Sequence, residues 1–496
     1  MSEIFFYNFS GRNQPDYSKT DFNTMYAVDG VILRTGRHLP RPETAINSVD
    51  LGGAVVLPAF ADAHVHFTQT GITLMGCRFD AATSINEVTD AIKAEADKNY
   101  HVLGWGLQEV TLKERRLPTL EELDRACPDN FVWLARKDLH SAVVNSHALE
   151  WARSFFPSLR TEKGLIKAEE YNFLCYQLNS QLSAEFKKQA LKMAEQEGFK
   201  KGVATVHALE GSLESTDDTL ALSDFLETSP LHGVIYHQSP DPTLPLQKGW
   251  NRMGGCLLVD GSIGTRTAAM HEPYADAPGN LGNLYLSAEK IEQLLKTAHD
   301  NNLQLALHAI GDRALDTVTA CHTWASERLP ATTLPHRIEH FILPSDKAIR
   351  SVRKNSTMIC VQPAFDHFWG GPSGLYAQRL GAKRAESCNP FKTLLSLGIL
   401  LAGGSDSPVT PIDPLLGVKA LVTHSNPEEQ ISLNQALSLF ISEPHKLAGE
   451  EKFRGHLRTG YRADFVCLAG DPCTTPPAEL SSLKITDLYI GAQKVY

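Results

Sequence analysis

Short apolar runs closed by glycine, proline or aspartate recur along this chain, and in its middle they alternate with segments whose apolar residues return at helical spacing. Near the N-terminus, Ile4-Phe5-Phe6-Tyr7, Met25-Tyr26-Ala27-Val28 and Val31-Ile32-Leu33 read as strands, the last two joined by the hairpin pair Asp29-Gly30. The other end repeats the pattern: Ala463-Asp464-Phe465-Val466-Cys467-Leu468, a turn at Gly470-Asp471-Pro472, and a last strand around Leu488-Tyr489-Ile490. These ends predict one small β-sandwich domain composed of residues 1–57 and 443–496.

Between them, short apolar strands alternate with helices, the pattern of βα units around a parallel sheet. Apolar runs at 203–206, 233–236, 256–259, 303–307, 337–338, 358–361 and 399–402 supply seven strands. The run that ends at His64 and His66 makes eight, the number that closes a TIM-type (β/α)8 barrel, here over residues 58–442. One helix between strands is especially legible: Ser287 can cap it, Glu289 suits its first turn, and Ile291, Leu294, Leu295 and Ala298 share a face. Residues 67–200 are too many for one βα connection and include a strand-like run at 131–135. They predict a large insertion after the first barrel strand, placed over the active site where it would shape the substrate pocket.

Composition narrows the partner class. A net charge of −10 argues against nucleic acid or an anionic membrane, both of which reward clustered Lys and Arg, and leaves a small-molecule substrate as the expectation. The first residues lack a secretory pattern and no apolar stretch is long enough to cross a bilayer, so the expected location is cytoplasmic. Nine cysteines without CxxC spacing form no disulfide framework. Homo-oligomerisation stays open.

The candidate chemistry lies at strand ends. In His64-Val65-His66 the two imidazoles project from one face of a strand, because side chains alternate with period two. Alone the pair is weak evidence, since neighbouring histidines arise often enough without function. Leu305-Ala306-Leu307-His308, Arg337-Ile338-Glu339-His340 and Gly403-Gly404-Ser405-Asp406 each carry a metal-type residue just past an apolar strand. Singly, His308 or His340 reads equally well as a core histidine and Asp406 as a helix cap. Jointly, in a barrel, all converge on the C-terminal rim.

The chain as a whole resembles the amidohydrolase superfamily, and within it the N-substituted formamide deformylase-like branch (amidohydrolase family 3). The resemblance runs through Leu57-Pro58-Ala59-Phe60-Ala61-Asp62-Ala63-His64-Val65-His66, Asp260-Gly261-Ser262-Ile263-Gly264-Thr265-Arg266, His308-Ala309-Ile310-Gly311-Asp312-Arg313, Arg337-Ile338-Glu339-His340, Gly404-Ser405-Asp406-Ser407-Pro408 and Ala463-Asp464-Phe465, in that order. It implies a metal-dependent hydrolase in which His64, His66, His308, His340 and Asp406 bind one or two divalent ions, usually zinc. Relatives typically carry a lysine, able to bridge two ions once carboxylated, where this chain has Cys256. A cysteine there can bridge two ions as thiolate or stay inert beside one, and both readings stand. The usual Pro-Gly-Phe is Pro58-Ala59-Phe60, a change of backbone packing rather than chemistry.

The implied reaction is hydrolysis of a non-peptide amide, N-acyl or N-formyl C–N bond, with Asp406 as general base and then acid. Candidate substrate contacts are His140, Trp105, Arg266, Phe365 and Trp369. Deamination of a cyclic amidine or opening of a cyclic amide is the rival within enzymes, and a non-catalytic metal-binding scaffold is the rival outside them.

Overall fold

The computed structural model describes residues 2–43, 47–137, 141–212 and 215–496. The chain divides into two compact units, one formed by Met1–His66 with Glu195–Tyr496 and the other by Phe67–Ala194.

The larger unit contains eight parallel strands in barrel order: β1 (Phe60–Val65), β2 (Val203–Glu210), β3 (His232–His237), β4 (Arg252–Leu258), β5 (Gln304–Ala309), β6 (Arg337–His340), β7 (Met358–Val361) and β8 (Leu401–Gly403). One ladder runs β3-β2-β1 and the other β4-β5-β6-β7-β8. A parallel bridge between Val65 and Ser407 joins the end of β8 to the end of β1, and Gln238 Nε2 donates to Cys256 O (3.4 Å) just beyond β3. Every residue of β1, β2, β5, β6, β7 and β8 is buried, which is why these strands read as apolar runs without alternation. β4 starts four residues before the predicted run, because Gly254 and Gly255, at φ +85° and +89°, interrupt its apolar pattern and the register shifts beside them.

Ala63, Met358, Cys360 and Ala402 fill part of the barrel interior together with Leu447, from the helix Glu443–Ala448. Gln304 Nε2 donates to Leu447 O (3.2 Å) and Arg252 Nη2 to Ala448 O (3.3 Å), so this helix packs with the barrel although the sequence boundary of the terminal domain falls at 443. The helix Ala288–Asp300 has the expected cap, Ser287 Oγ accepting from Lys290 N, and buries the four expected residues.

Both termini contribute to one hydrogen-bonded sheet of eight strands. Its turn at Asp29-Gly30 takes φ +48° and +78°, as a tight hairpin requires. Phe6 packs edge-on to Phe465 (5.0 Å) and Tyr489 (5.3 Å), and Phe465 stacks on Tyr489 (4.5 Å). Burial of each such ring contributes about 1.5–3 kcal/mol, so the N-terminal strand Glu3–Gly11 is held by residues more than four hundred positions away.

The smaller unit has its own five-stranded sheet and its own core, in which Trp133 stacks on Tyr171 (5.8 Å) beside Ile72, Leu103 and Trp105. Trp105 is only 5% exposed in this cluster. There it packs in the core of the smaller unit. Among the described residues no helix is long and apolar enough to cross a membrane.

Candidate metal centre

His64 and His66 stand at the end of β1, and backbone bonds to the segment after β8 fix their height. Asp406 N donates to His64 O (2.7 Å) and His66 N to Ser407 O (2.9 Å). The buried Asp62 carboxylate accepts from the backbone N–H of both His64 (3.1 Å) and Ser405 (2.9 Å), tying the two segments a second time. Burial pushes the Asp62 carboxyl up to about 6 despite those bonds. Asp260 does the same job elsewhere on the rim, accepting from Ala269 N (2.8 Å), Ile310 N (3.0 Å) and Gly311 N (2.8 Å), and its Oδ1 lies 3.7 Å from His308 Nε2. His340 and Asp406 both adopt left-handed backbone, φ +73° and +55°, at the point where each strand ends. Such conformations in non-glycine residues concentrate at functional sites.

Hydrogen bonds on the far side of each ring assign the tautomers. His66 Nδ1 faces Leu209 O (3.0 Å), His340 Nδ1 faces Gln362 Oε1 (2.7 Å), and His64 Nδ1 faces Glu339 Oε2 (2.6 Å). All three partners are acceptors, so these Nδ1 atoms carry the proton and the Nε2 lone pairs point inward. His308 is turned over: Nε2 faces Gly261 O (3.3 Å), leaving Nδ1 toward Cys256.

The inward atoms converge. Asp406 Oδ1 lies 3.1 Å from His64 Nε2 and 3.2 Å from His66 Nε2. Cys256 Sγ lies 3.5 Å from His308 Nδ1 and 3.8 Å from His340 Nε2. Among the described residues four triads have one candidate ligand atom each within 4.8 Å of one another: His64, His66 and Cys256; Cys256, His308 and His340; His64, His340 and Asp406; and His64, Glu339 and Cys360. Cys256 belongs to two of them.

This donor set suits a divalent cation. His64 Nε2 is buried and lies near Asp406 without the alignment of a hydrogen bond, as two groups facing a common ion do. Imidazole, thiolate and carboxylate are the usual zinc ligands. Burial alone would raise the Asp406 carboxyl and the Cys256 thiol, yet His64 beside the first and His308 beside the second hold both well below their ordinary values. Burial would likewise discharge His66, but Asp406 and Cys256 raise it to about 10. The centre therefore gathers positive charge around two anions, and a cation supplies that charge without protonating the ligands.

Of the remaining substrate candidates, Phe365 lies in the helix Pro363–Trp369 after β7, its ring parallel to that of His340 (6.0 Å, 13°), and Trp369 packs on Phe365 (4.7 Å). Arg266 is engaged elsewhere: Nε and Nη2 donate to the two carboxylate oxygens of Asp276 (2.9 and 2.7 Å). That bidentate pair engages the guanidinium that the sequence offered as a substrate contact. His140 lies outside the described residues. The sequence reading missed Glu339 and Gln362, which hydrogen-bond two of the candidate ligand histidines. Glu339 sits inside the quoted Arg337-Ile338-Glu339-His340 run, and its place directly before a ligand was the available signal.

Comparison with known proteins agrees with this geometry. The profile described as Amidohydrolase family matches residues 47–496. The chain is 30% identical to the putative amidohydrolase YtcJ of Bacillus subtilis (strain 168), with 95% of each chain covered. It is 20% identical to N-substituted formamide deformylase of Arthrobacter pascens, over 89% of this chain and 88% of that one. Its fold matches the crystal structure of an uncharacterized metal-dependent hydrolase from Pyrococcus horikoshii OT3 with a TM-score of 0.79 and 25% identity, covering 96% of this chain and 99% of that one. Eight parallel strands that deliver four histidines, a cysteine and an aspartate to one rim, and a family match over nearly the whole length, lead to one conclusion: this chain belongs to the amidohydrolase family.

Proposed function

We propose that this protein hydrolyses a non-peptide C–N bond, an amide of the N-acyl or N-formyl type, in a small molecule. The observation that carries the reading is the position of Asp406, whose Oδ1 lies within 3.2 Å of both β1 histidines. His64, His66, His308, His340 and Asp406 would hold one or two divalent ions, zinc by donor type, with Cys256 offering a further thiolate ligand. The bound ion supplies Lewis acidity, which polarises a carbonyl and makes a water acidic near neutral pH.

Asp406 does the proton work. Its carboxylate takes a proton from the attacking water and returns it to the leaving nitrogen, so the C–N bond breaks to a carboxylic acid and an amine. The left-handed backbone at Asp406 and its N–H bond to His64 O keep the carboxylate at that station. Phe365, stacked on His340, offers an apolar surface for the acyl side. Kinetic screening of formamides, N-acyl amines, hydantoins and purines tests the assignment: turnover of the first two groups supports it, and turnover confined to purines or hydantoins moves the enzyme to deamination or ring opening.

A further inference from the structure

Beneath the ligand atoms, inside the barrel, lies a pair of full charges with no solvent exposure, Arg337 and Glu339 on β6. Arg337 has five N–H donors, and every one has a partner. Nε donates to Glu339 Oε1 and Nη2 to Glu339 Oε2 (2.9 Å) and to Ala63 O (2.6 Å). Nη1 donates to His207 Nδ1 (3.0 Å) and to the Tyr236 hydroxyl (3.3 Å), and the guanidinium sits over the Tyr236 ring (4.8 Å). One side chain from β6 thus fastens β1, β2 and β3.

A buried ion pair of this kind is poor value as a stabiliser, since apolar residues of similar volume commonly serve as well or better. Its geometry has another consequence. Glu339 Oε2 takes the Arg337 bond and still reaches His64 Nδ1 at 2.6 Å, so the carboxylate spends its second oxygen on a metal-type ligand. Ala63, the residue before that ligand, has its carbonyl held by the same arginine.

We infer that Glu339, locked by Arg337, is a positioning residue for His64. It keeps the Nδ1 proton in place, aims the Nε2 lone pair at the centre, and makes the imidazole a stronger donor to a cation. The inference rests on the metal-dependent reading of the site. Partners of this kind typically change metal affinity about 10–100-fold when removed.

The test is metal affinity rather than turnover. Wild type, E339Q and E339D are stripped by chelation and titrated with Zn²⁺ against a chromophoric chelator, while the thermal unfolding of each metal-free form is recorded. The expected result is affinity weakened about 10–100-fold in E339Q and partly restored in E339D, with metal-free E339Q folded but less stable, because Arg337 keeps its charge without a counter-ion. Wild-type affinity in a folded E339Q, or a loss of metal-free stability with affinity intact, overturns the inference and makes the pair structural. If E339Q does not fold, E339D decides alone, because it keeps the charge and withdraws the oxygen by one methylene: weakened affinity supports the role and unchanged affinity refutes it. A wild type that binds no Zn²⁺ instead refutes the metal reading itself.

Discussion

Asp406 reaches His66 across the seam where the last barrel strand meets the first: Oδ1 lies 3.2 Å from Nε2, and the Val65–Ser407 bridge beside it sets that separation. Replacing Asp406 with Asn keeps the shape, and Asn tolerates the left-handed backbone found there. We expect Asp406→Asn to fold normally and to lose about 10²–10⁴-fold in kcat, the usual contribution of a positioned acid–base group. Steady-state kinetics with a circular-dichroism check reads this, and a variant with wild-type kcat removes Asp406 from the proton path.

Gly404 shows how tightly the seam is built. A Cβ there would stand 2.5 Å from His64 N and 2.6 Å from His64 Cβ, atoms of a buried strand with no room to yield. Gly404→Ala is therefore expected to displace His64, lower stability by about 1–3 kcal/mol, and weaken metal binding. Urea unfolding together with metal titration checks both effects; a neutral substitution would mean that β1 can move.

Cys256 belongs to two ligand triads, so its removal distinguishes a bridge from a bystander. Metal analysis and metal-edge spectroscopy are expected to find two ions with sulfur scattering in wild type and one or none in Cys256→Ala. One ion without sulfur, equal in both proteins, would reject the bridge.

At the N-terminal end of the barrel, His336 Nδ1 accepts from Leu305 N (3.1 Å) and its Nε2 meets His299 Nε2 (2.9 Å), while the neighbouring His322 is buried with Nε2 unpartnered. Burial lowers His322 to about 4 and holds His336 well below its ordinary value. These folded values lie below the unfolded value near 6.5, so the unfolded chain binds protons first as pH falls. Stability is thus expected to be full above about pH 6.5 and to decline toward pH 4, His322 alone contributing on the order of 3 kcal/mol. Unfolding free energies of wild type and His322→Asn across this window measure it; parallel curves would exclude His322 as a source.

The strands were legible because burial on both faces writes them as apolar runs, and the candidate ligands His64, His66, His308, His340 and Asp406 because each lies at or just past the end of such a run. Glu339 was not, since its meaning depends on His64, 275 positions away, and on an arginine two residues earlier whose five hydrogen bonds reach three other strands and its own. Trp105 and Phe365 show the opposite difficulty: each is 5% exposed within an apolar cluster, and only the stacking of Phe365 on His340 sets one of them beside a candidate ligand.

The central claim is that hydrolysis depends on a cation held by these side chains. Purified protein is assayed for metal content, stripped by chelation, and reloaded with Zn²⁺ while N-formyl and N-acyl amine hydrolysis is followed. The account predicts bound divalent metal, loss of hydrolysis on stripping and its return on reloading in wild type but not in Asp406→Asn. Metal-free protein as purified, or hydrolysis that survives stripping, would contradict it.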